Sequence, residues 1–156
     1  MDFNGTFEVS APADHALRQL TDINWISACL PTLTELKTIN ENEFEATFKV
    51  DVSEAAGKLH IEYLSQVTVK MKFKFLKKEL QQVVLEGSGR VVGSSLKIRI
   101  EFTVESKAER TAIPWKAQVD FGLLLKFFGQ ELLVGTANGI IDSVINCISS
   151  KLNETV

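Results

Sequence analysis

The chain has 156 residues, of which 45% are hydrophobic and 24% charged, and its formal net charge is −3. This is the size and composition of one soluble globular domain, and the charge balance excludes the basic excess that nucleic-acid binding requires. No uninterrupted run of about 18 apolar residues is present, and the N-terminus lacks a signal-peptide pattern. We therefore expect a cytoplasmic protein with a single domain over residues 1–156.

The two cysteines, Cys29 and Cys147, are far apart in the sequence and lack the spacing of a metal site. In a cytoplasmic protein such residues are typically free thiols that are buried or half-buried. The sequence predicts neither a metal ion nor a cofactor.

The N-terminal region predicts one strand and two short helices. Apolar residues alternate with polar ones over 3–9, which is typical of a half-buried strand. A first helix is predicted over Ala13–Leu20, preceded by Pro12, which suits a first helical turn. A second short helix restarts at Thr21 and is expected to end near Cys29, because the next residue but one is a proline.

The middle of the chain predicts a series of strands joined by short turns. Apolar alternation places them, with decreasing regularity in the first and fourth, at 33–39, 44–52, 67–75, 83–89, 96–104 and 115–121. The segment 53–64 fits either a short helical turn or a bend with a return strand. Consecutive strands with short connections indicate an antiparallel meander.

Turn residues divide these strands at three places, 40–42, 77–79 and 106–110. The glycines of 87–89 indicate a bulge or tight bend inside a strand. Pro114 cannot donate to a ladder, so the last strand is expected to begin after it or to contain a bulge there.

The C-terminal segment from about Gln130 to Leu152 predicts a long amphipathic helix of roughly 33 Å. Its apolar stripe comprises Leu133, Ala137, Ile140, Ile141, Val144, Ile145, Ile148 and Leu152. Such a helix is marginal by itself, so the stripe must lie on the sheet. The fold class is α+β: a curved antiparallel sheet of six to seven strands wraps around the long C-terminal helix, and two short helices follow strand one.

The inward face of the sheet carries many large apolar side chains, and one helix is only about 10 Å wide, narrower than such a sheet. Either side chains or an apolar ligand can fill the difference. If a ligand does, the candidate binding residues are Trp25, Phe48, Met71, Phe73, Ile100, Phe102, Trp115, Val119, Phe128, Leu133, Ala137, Ile140 and Val144.

The segment 122–129 places five large apolar residues between two glycines, Gly122 and Gly129. One interpretation is a flap at the mouth of the cavity, through which a ligand enters or a membrane or protein partner is contacted. The other is an irregular first turn of the long helix, packed on the rim of the sheet.

Candidate catalytic residues are few, and no catalytic site is predicted. His15 and His60 are interpreted as surface residues, and neither cysteine has a histidine near it in sequence. The glycines of 87–89 are not followed by a helix, so they do not form a phosphate loop.

The order of these motifs resembles the CoxG family of carbon monoxide dehydrogenase subunits, within the START-like helix-grip superfamily. The resemblance rests on segments 3–9 with Ala11-Pro12, 20–22, 29–31, 87–89, and 121–129 leading into the final helix. It implies a non-enzymatic accessory protein with a hydrophobic cavity for a lipophilic molecule, such as a quinone or lipid. It also implies molybdenum hydroxylase subunits as partners and a peripheral membrane contact.

Two other functions are compatible with the sequence. A protein-interaction or assembly subunit would have a filled core instead of a cavity. A cyclase- or dehydrase-like enzyme would need an acid or base, such as His60 or Glu86, inside the cavity.

Overall fold

The computed structural model describes residues 1–51, 66–79, 81–91 and 93–154. Segment 53–64, for which two interpretations were given, lies outside the described residues, and so does His60. The elements, in chain order, are β1 (Asp2–Val9), α1 (Ala13–Leu20), α2 (Ile23–Ser27), β2 (Leu33–Thr38), β3 (Glu43–Asp51), β4 (Gln66–Glu79), β5 (Gln82–Val91), β6 (Ser94–Thr103), β7 (Glu105–Ser106), β8 (Thr111–Asp120), α3 (Leu124–Phe128) and α4 (Gln130–Glu154).

The described strands form one antiparallel sheet in the order β1-β8-β6-β5-β4-β3-β2, and the two-residue β7 pairs with β8 outside this path. The predicted meander is confirmed from β2 to β6, and β1 joins the sheet beside β8. With the long C-terminal helix, this confirms the predicted α+β helix-grip fold. The path has the seven strands expected, and β7 is an addition that the sequence pattern did not distinguish from a turn.

The inner face of the sheet holds most of the apolar core, as the alternation requires. Along β3, for example, Phe44, Ala46 and Phe48 are buried, whereas the residues between them are half-exposed. Phe44 stacks on Phe73 of the neighbouring β4, with ring centroids 5.0 Å apart. The cross-strand aromatic pair fixes the register of two adjacent strands.

The two short helices occur as predicted. Helix α1 has the predicted bounds, and α2 begins after Asp22, whose carboxylate accepts hydrogen bonds from the backbone N–H groups of Asn24 (3.0 Å) and Trp25 (3.2 Å). This side-chain cap satisfies two donors that the first helical turn leaves free.

Two of the predicted turns are wrong. Residues 77–79 belong to β4, which continues through a register shift between Phe75 and Lys77, and the positive φ of 67° at Gln81 marks where the chain reverses. Residues 87–89 are regular members of β5 and show no bulge. The glycine there is needed for side-chain space rather than for a bend.

Pro114 lies inside β8, which begins at Thr111, so the expectation of a later start is also wrong. Its partner in β1 is Thr6. On the other side of β8, pairing with β6 ends at Trp115 and pairing with β7 begins at Ala112. The missing N–H of Pro114 therefore falls in a gap between two ladders and costs no hydrogen bond.

Helix α4 extends from Gln130 to Glu154, in agreement with the prediction. Its segment Gln130–Asn153 is long and apolar enough, at a mean hydropathy of 1.4, to cross a membrane, although Asn138 and Asp142 interrupt the apolar run. A helix that faces an apolar cavity meets the same criterion, so composition is weak evidence for a span.

Candidate ligand-binding cavity

A cavity of about 190 Å³ lies between helix α4 and the inner face of the sheet. Strands β3 to β6 and β8 form its wall, and α4 covers it with one apolar stripe. The described residues that line it are Leu30, Pro31, Phe48, Val50, Val69, Met71, Phe73, Leu96, Ile98, Ile100, Phe102, Trp115, Ala117, Val119, Phe121, Leu133, Thr136, Ala137, Ile140, Ile141, Val144 and Ile145.

The structure brings all but two of the candidate binding residues together around this cavity. Their role in binding stays a prediction. Trp25 lies elsewhere, because α2 turns its ring towards the end of α4, where the ammonium group of Lys151 lies 4.3 Å from the ring centroid. Phe128 ends α3 and is half-buried against the core without reaching the cavity.

Several lining residues were not among the candidates. The alternation that identified Phe48 and Ile100 also places Val50, Ile98 and Leu96 on the inner face, so the same signal could have found them. Leu30 and Pro31 follow α2 without any periodic pattern, and only the fold brings this pair to the cavity.

The lining is almost entirely apolar. Among its described members Thr136 alone carries a polar side-chain atom other than the indole nitrogen of Trp115, and none is ionisable. A ligand in this space would gain the hydrophobic contribution of about 25 cal/mol per Å² of apolar area removed from water. It would find almost no partner for a buried hydrogen-bonding group, which would cost free energy.

Two glycines create room for large rings in the wall. A Cβ at Gly87 would lie 2.7 Å from Cε1 of Phe73 and 3.0 Å from Cγ2 of Ile98. A Cβ at Gly5 would lie 2.9 Å from Nε1 of Trp115. Both rings therefore lie across the backbone of the adjacent strand, and this arrangement leaves the space in front of them open.

The cysteines form a disulfide between Cys29 and Cys147, so the prediction of free thiols is wrong. Their burial agrees with the prediction, since Cys29 is buried and Cys147 half-buried. Helix α4 brings together two residues that are separated by 118 positions, a pairing that spacing cannot reveal. The cytoplasmic location stays a prediction.

The segment after β8 is a separate short helix, α3, and not the first turn of α4. It lies between Gly122 and Gly129, whose φ angles are +55° and +81°. Ser94 holds its start, since its hydroxyl accepts a hydrogen bond from the N–H of Leu123 at 3.0 Å. Its role as a flap stays a prediction.

The surface of α3 and its first flanking residue exposes three large apolar side chains, Leu123, Leu125 and Phe127, which are 51%, 40% and 66% exposed. Leu124 of the same helix is buried. The segment connects two lining residues of the cavity, Phe121 and Leu133. An exposed apolar patch therefore adjoins the cavity directly.

Polar groups of the described chain lie away from the cavity. His15 is half-buried rather than at the surface as predicted, and its Nε2 is buried without a hydrogen-bond partner. A polar concavity of about 360 Å³, lined in part by Asn4, Arg99 and Lys116, lies on the opposite face of the sheet. Neither feature contributes an acid or base to the apolar cavity.

A long helix across an antiparallel sheet, with an apolar cavity between them, defines the START-like helix-grip class. The chain belongs to the CoxG family of carbon monoxide dehydrogenase subunits, whose model matches residues 5–153. No protein of curated function matches the sequence.

Solved structures with the same fold are distant in sequence. A conserved protein from Geobacillus kaustophilus is 16% identical, with 99% of this chain and 97% of that chain covered and a TM-score of 0.81. A START superfamily protein from Mycobacterium smegmatis is 8% identical, with 99% of both chains covered and a TM-score of 0.67. The Zhui aromatase/cyclase from Streptomyces sp. R1128 is 15% identical, with 97% and 93% covered and a TM-score of 0.67.

Proposed function

We propose that the protein binds a lipophilic small molecule, quinone- or lipid-like, between α4 and the sheet, without catalysing a reaction on it. The observation that carries this proposal is the apolar lining of the cavity, in which none of the described residues is ionisable. Recognition would depend on shape and apolar area rather than on hydrogen bonds.

The size of the cavity bears on how a ligand would enter. Pockets for drug-sized ligands are typically 300–1,000 Å³, whereas this one measures about 190 Å³. It can hold a ring system or part of a chain, since an apolar cavity of about 150 Å³ accepts benzene. A larger ligand would require α4 to move away from the sheet.

The entrance proposed for the ligand is α3. Its exposed apolar residues would contact a membrane surface or protein partner that delivers or receives the molecule. The two glycines with positive φ, Gly122 and Gly129, provide backbone conformations in which the short helix is linked independently to β8 and α4.

Membership of the CoxG family supports the accessory part of the proposal. The protein would serve a molybdenum-containing enzyme of the carbon monoxide dehydrogenase type, with the ligand as a shared molecule. Co-purification of the chain with a subunit of such an enzyme tests this part. Size-exclusion chromatography of the mixed proteins, with and without ligand, would give a joint peak, and two separate peaks would contradict the partnership.

The likeness to aromatase/cyclases favours one alternative, an enzyme that acts on a polyketide-like substrate. It rests on the fold alone, and the described lining offers no ionisable group for proton transfer. Unchanged mass of a bound polyketide after prolonged incubation would support binding without catalysis, and a cyclised or dehydrated product would support the enzyme.

The binding itself can be tested with N-phenyl-1-naphthylamine, a neutral apolar fluorophore. In a Trp25→Phe variant, Trp115 is the remaining one of the two tryptophans and lines the cavity. We expect saturable binding with energy transfer from Trp115 to the probe, and competition by a quinone or a fatty acyl lipid. Absence of saturable binding, together with no co-purifying lipid in native mass spectrometry, would contradict the proposal and favour a filled core.

A further inference from the structure

Helix α4 is attached to the rest of the protein mainly at its C-terminal end. Ile148 and Leu152 are fully buried. The ammonium group of Lys151 donates a hydrogen bond of 2.8 Å to the backbone oxygen of Trp25. Asn153 accepts hydrogen bonds from the backbone N–H and the hydroxyl of Ser10 at 3.0 and 3.1 Å. The last two turns of the helix are thus held by both packing and hydrogen bonds.

The preceding part of the helix is held much less. Within the described range 130–146, Ala137 is the one buried residue. The apolar residues of this range face the cavity, where they lack the close-packed neighbours of a filled core. Few buried contacts mean a low free energy of local opening. This part of α4 is therefore the wall of the cavity that is easiest to move.

The disulfide joins the two parts of the molecule that such a movement would separate. Cys29 directly precedes Leu30 and Pro31, which line the cavity. Cys147 follows Val144 and Ile145, which line it from the helix, at the boundary between the held end and the movable wall. The bond fixes the helix to the loop after α2 at that boundary.

We propose that the Cys29–Cys147 disulfide is a redox-controlled tether of the cavity: the oxidised protein retains the ligand, and reduction allows α4 to move and release it. This inference rests on the proposed ligand binding. The remaining attachments at Lys151, Asn153 and the buried Ile148 and Leu152 keep the end of the helix in place after reduction. Reduction therefore opens the cavity locally and leaves the fold intact.

The reductant is a dithiol. Its thiolate attacks the sulfur of Cys147, which belongs to the less buried of the two cysteines, and Cys29 leaves as a thiolate that takes up a proton. The second thiolate of the reductant then attacks the mixed disulfide and releases Cys147. Two electrons and two protons pass to the protein, and the dithiol becomes a disulfide.

The release rate is the quantity that this tether controls. Because a cross-link over a separation of 118 residues restricts the open states of the chain far more than the folded one, its removal makes local opening more frequent. With N-phenyl-1-naphthylamine as the ligand and phosphatidylcholine vesicles as the acceptor, we expect release to be on the order of tenfold faster after reduction with dithiothreitol.

The experiment uses the full chain in oxidised and reduced form, beside a Cys29→Ser, Cys147→Ser double variant. Thiol titration should find no free thiol before reduction and both cysteines afterwards. The double variant should release the probe at the rate of the reduced protein and be insensitive to dithiothreitol. If the double variant fails to fold, the reduced protein carries the comparison. Free thiols in protein purified without reductant, or release rates equal within twofold, would overturn the tether.

Hydrogen exchange of the amides in 130–146 separates this inference from the binding proposal. Faster exchange there on reduction, with exchange in β4 to β6 unchanged, is the expected result. If the probe binds to neither form, the binding proposal fails, and exchange alone decides whether the disulfide restrains the helix. Unchanged exchange in both forms would overturn the restraint itself.

Discussion

The ring of Phe73 lies across Gly87 of the adjacent strand, so closely that a Cβ at residue 87 would be 2.7 Å from its Cε1 atom. The two residues are register partners in β4 and β5. On the other side, Phe73 stacks on Phe44, which is 1% exposed and cannot move away. The absence of a side chain at residue 87 therefore determines how far the ring projects into the cavity.

Substitution of this glycine should reduce the cavity. We expect Gly87→Ala to displace the ring of Phe73 towards the ligand space, to lower the free energy of unfolding by about 1–3 kcal/mol, and to weaken probe binding roughly tenfold. Ser88→Ala changes the neighbouring, outward-facing residue of the same strand and serves as the control. Equal probe affinity in both variants would contradict the role of Gly87.

The attachment of α4 to α2 gives a second prediction. Lys151→Met retains most of the aliphatic side chain but removes the ammonium group that bonds to the oxygen of Trp25 and lies over its ring. We expect a loss of about 1–2 kcal/mol in the free energy of unfolding, measured by urea denaturation. Lys97→Met, at an exposed position on β6, should change it by less than about 0.5 kcal/mol. A similar loss in both variants would argue against this attachment.

The exposed residues of α3 give a third prediction, for the rate of ligand uptake. A Leu123→Ser, Phe127→Ser double variant should unfold at nearly the same urea concentration as the original protein, because both side chains are exposed. Transfer of the probe from vesicles to the protein should be several-fold slower if α3 contacts the donor surface, because that contact buries these apolar side chains.

The matched control for this variant is Ile39→Ser with Leu76→Ser, which removes two other apolar side chains that are 42% and 45% exposed. It should leave the transfer rate unchanged. If both double variants slow the transfer equally, general surface hydrophobicity explains the effect, and α3 has no special part in uptake.

Alternation and helical periodicity sufficed to predict most of the fold and most of the cavity wall. Both signals are local, and each reports which face of an element is apolar. They identified the inner face of the sheet and the stripe of α4, and these two surfaces enclose the cavity. The apolar stripe was sufficient to place Leu133 and Val144 at the cavity without any knowledge of the loops.

The features that the sequence did not reveal depend on contacts between distant parts of the chain. The disulfide requires the approach of α4 to the end of α2, and the contribution of Leu30 and Pro31 to the lining requires the same approach. Gly87 was interpreted as a bend because glycine commonly bends a strand, whereas here it accommodates a ring from the adjacent strand. Trp25 is apolar and large, but its position is set by Lys151 near the other end of the chain.

The central claim is that the space beneath α4 holds the ligand, and a substitution that fills this space tests it most directly. Ala137 faces the cavity from the helix, whereas the next residue, Asn138, is exposed. The decisive measurement is the dissociation constant of N-phenyl-1-naphthylamine for Ala137→Phe and for Asn138→Phe, with folding checked by circular dichroism. We predict affinity at least roughly tenfold weaker for the first variant and within about twofold of the original for the second. Unchanged affinity in a folded Ala137→Phe variant would contradict the account.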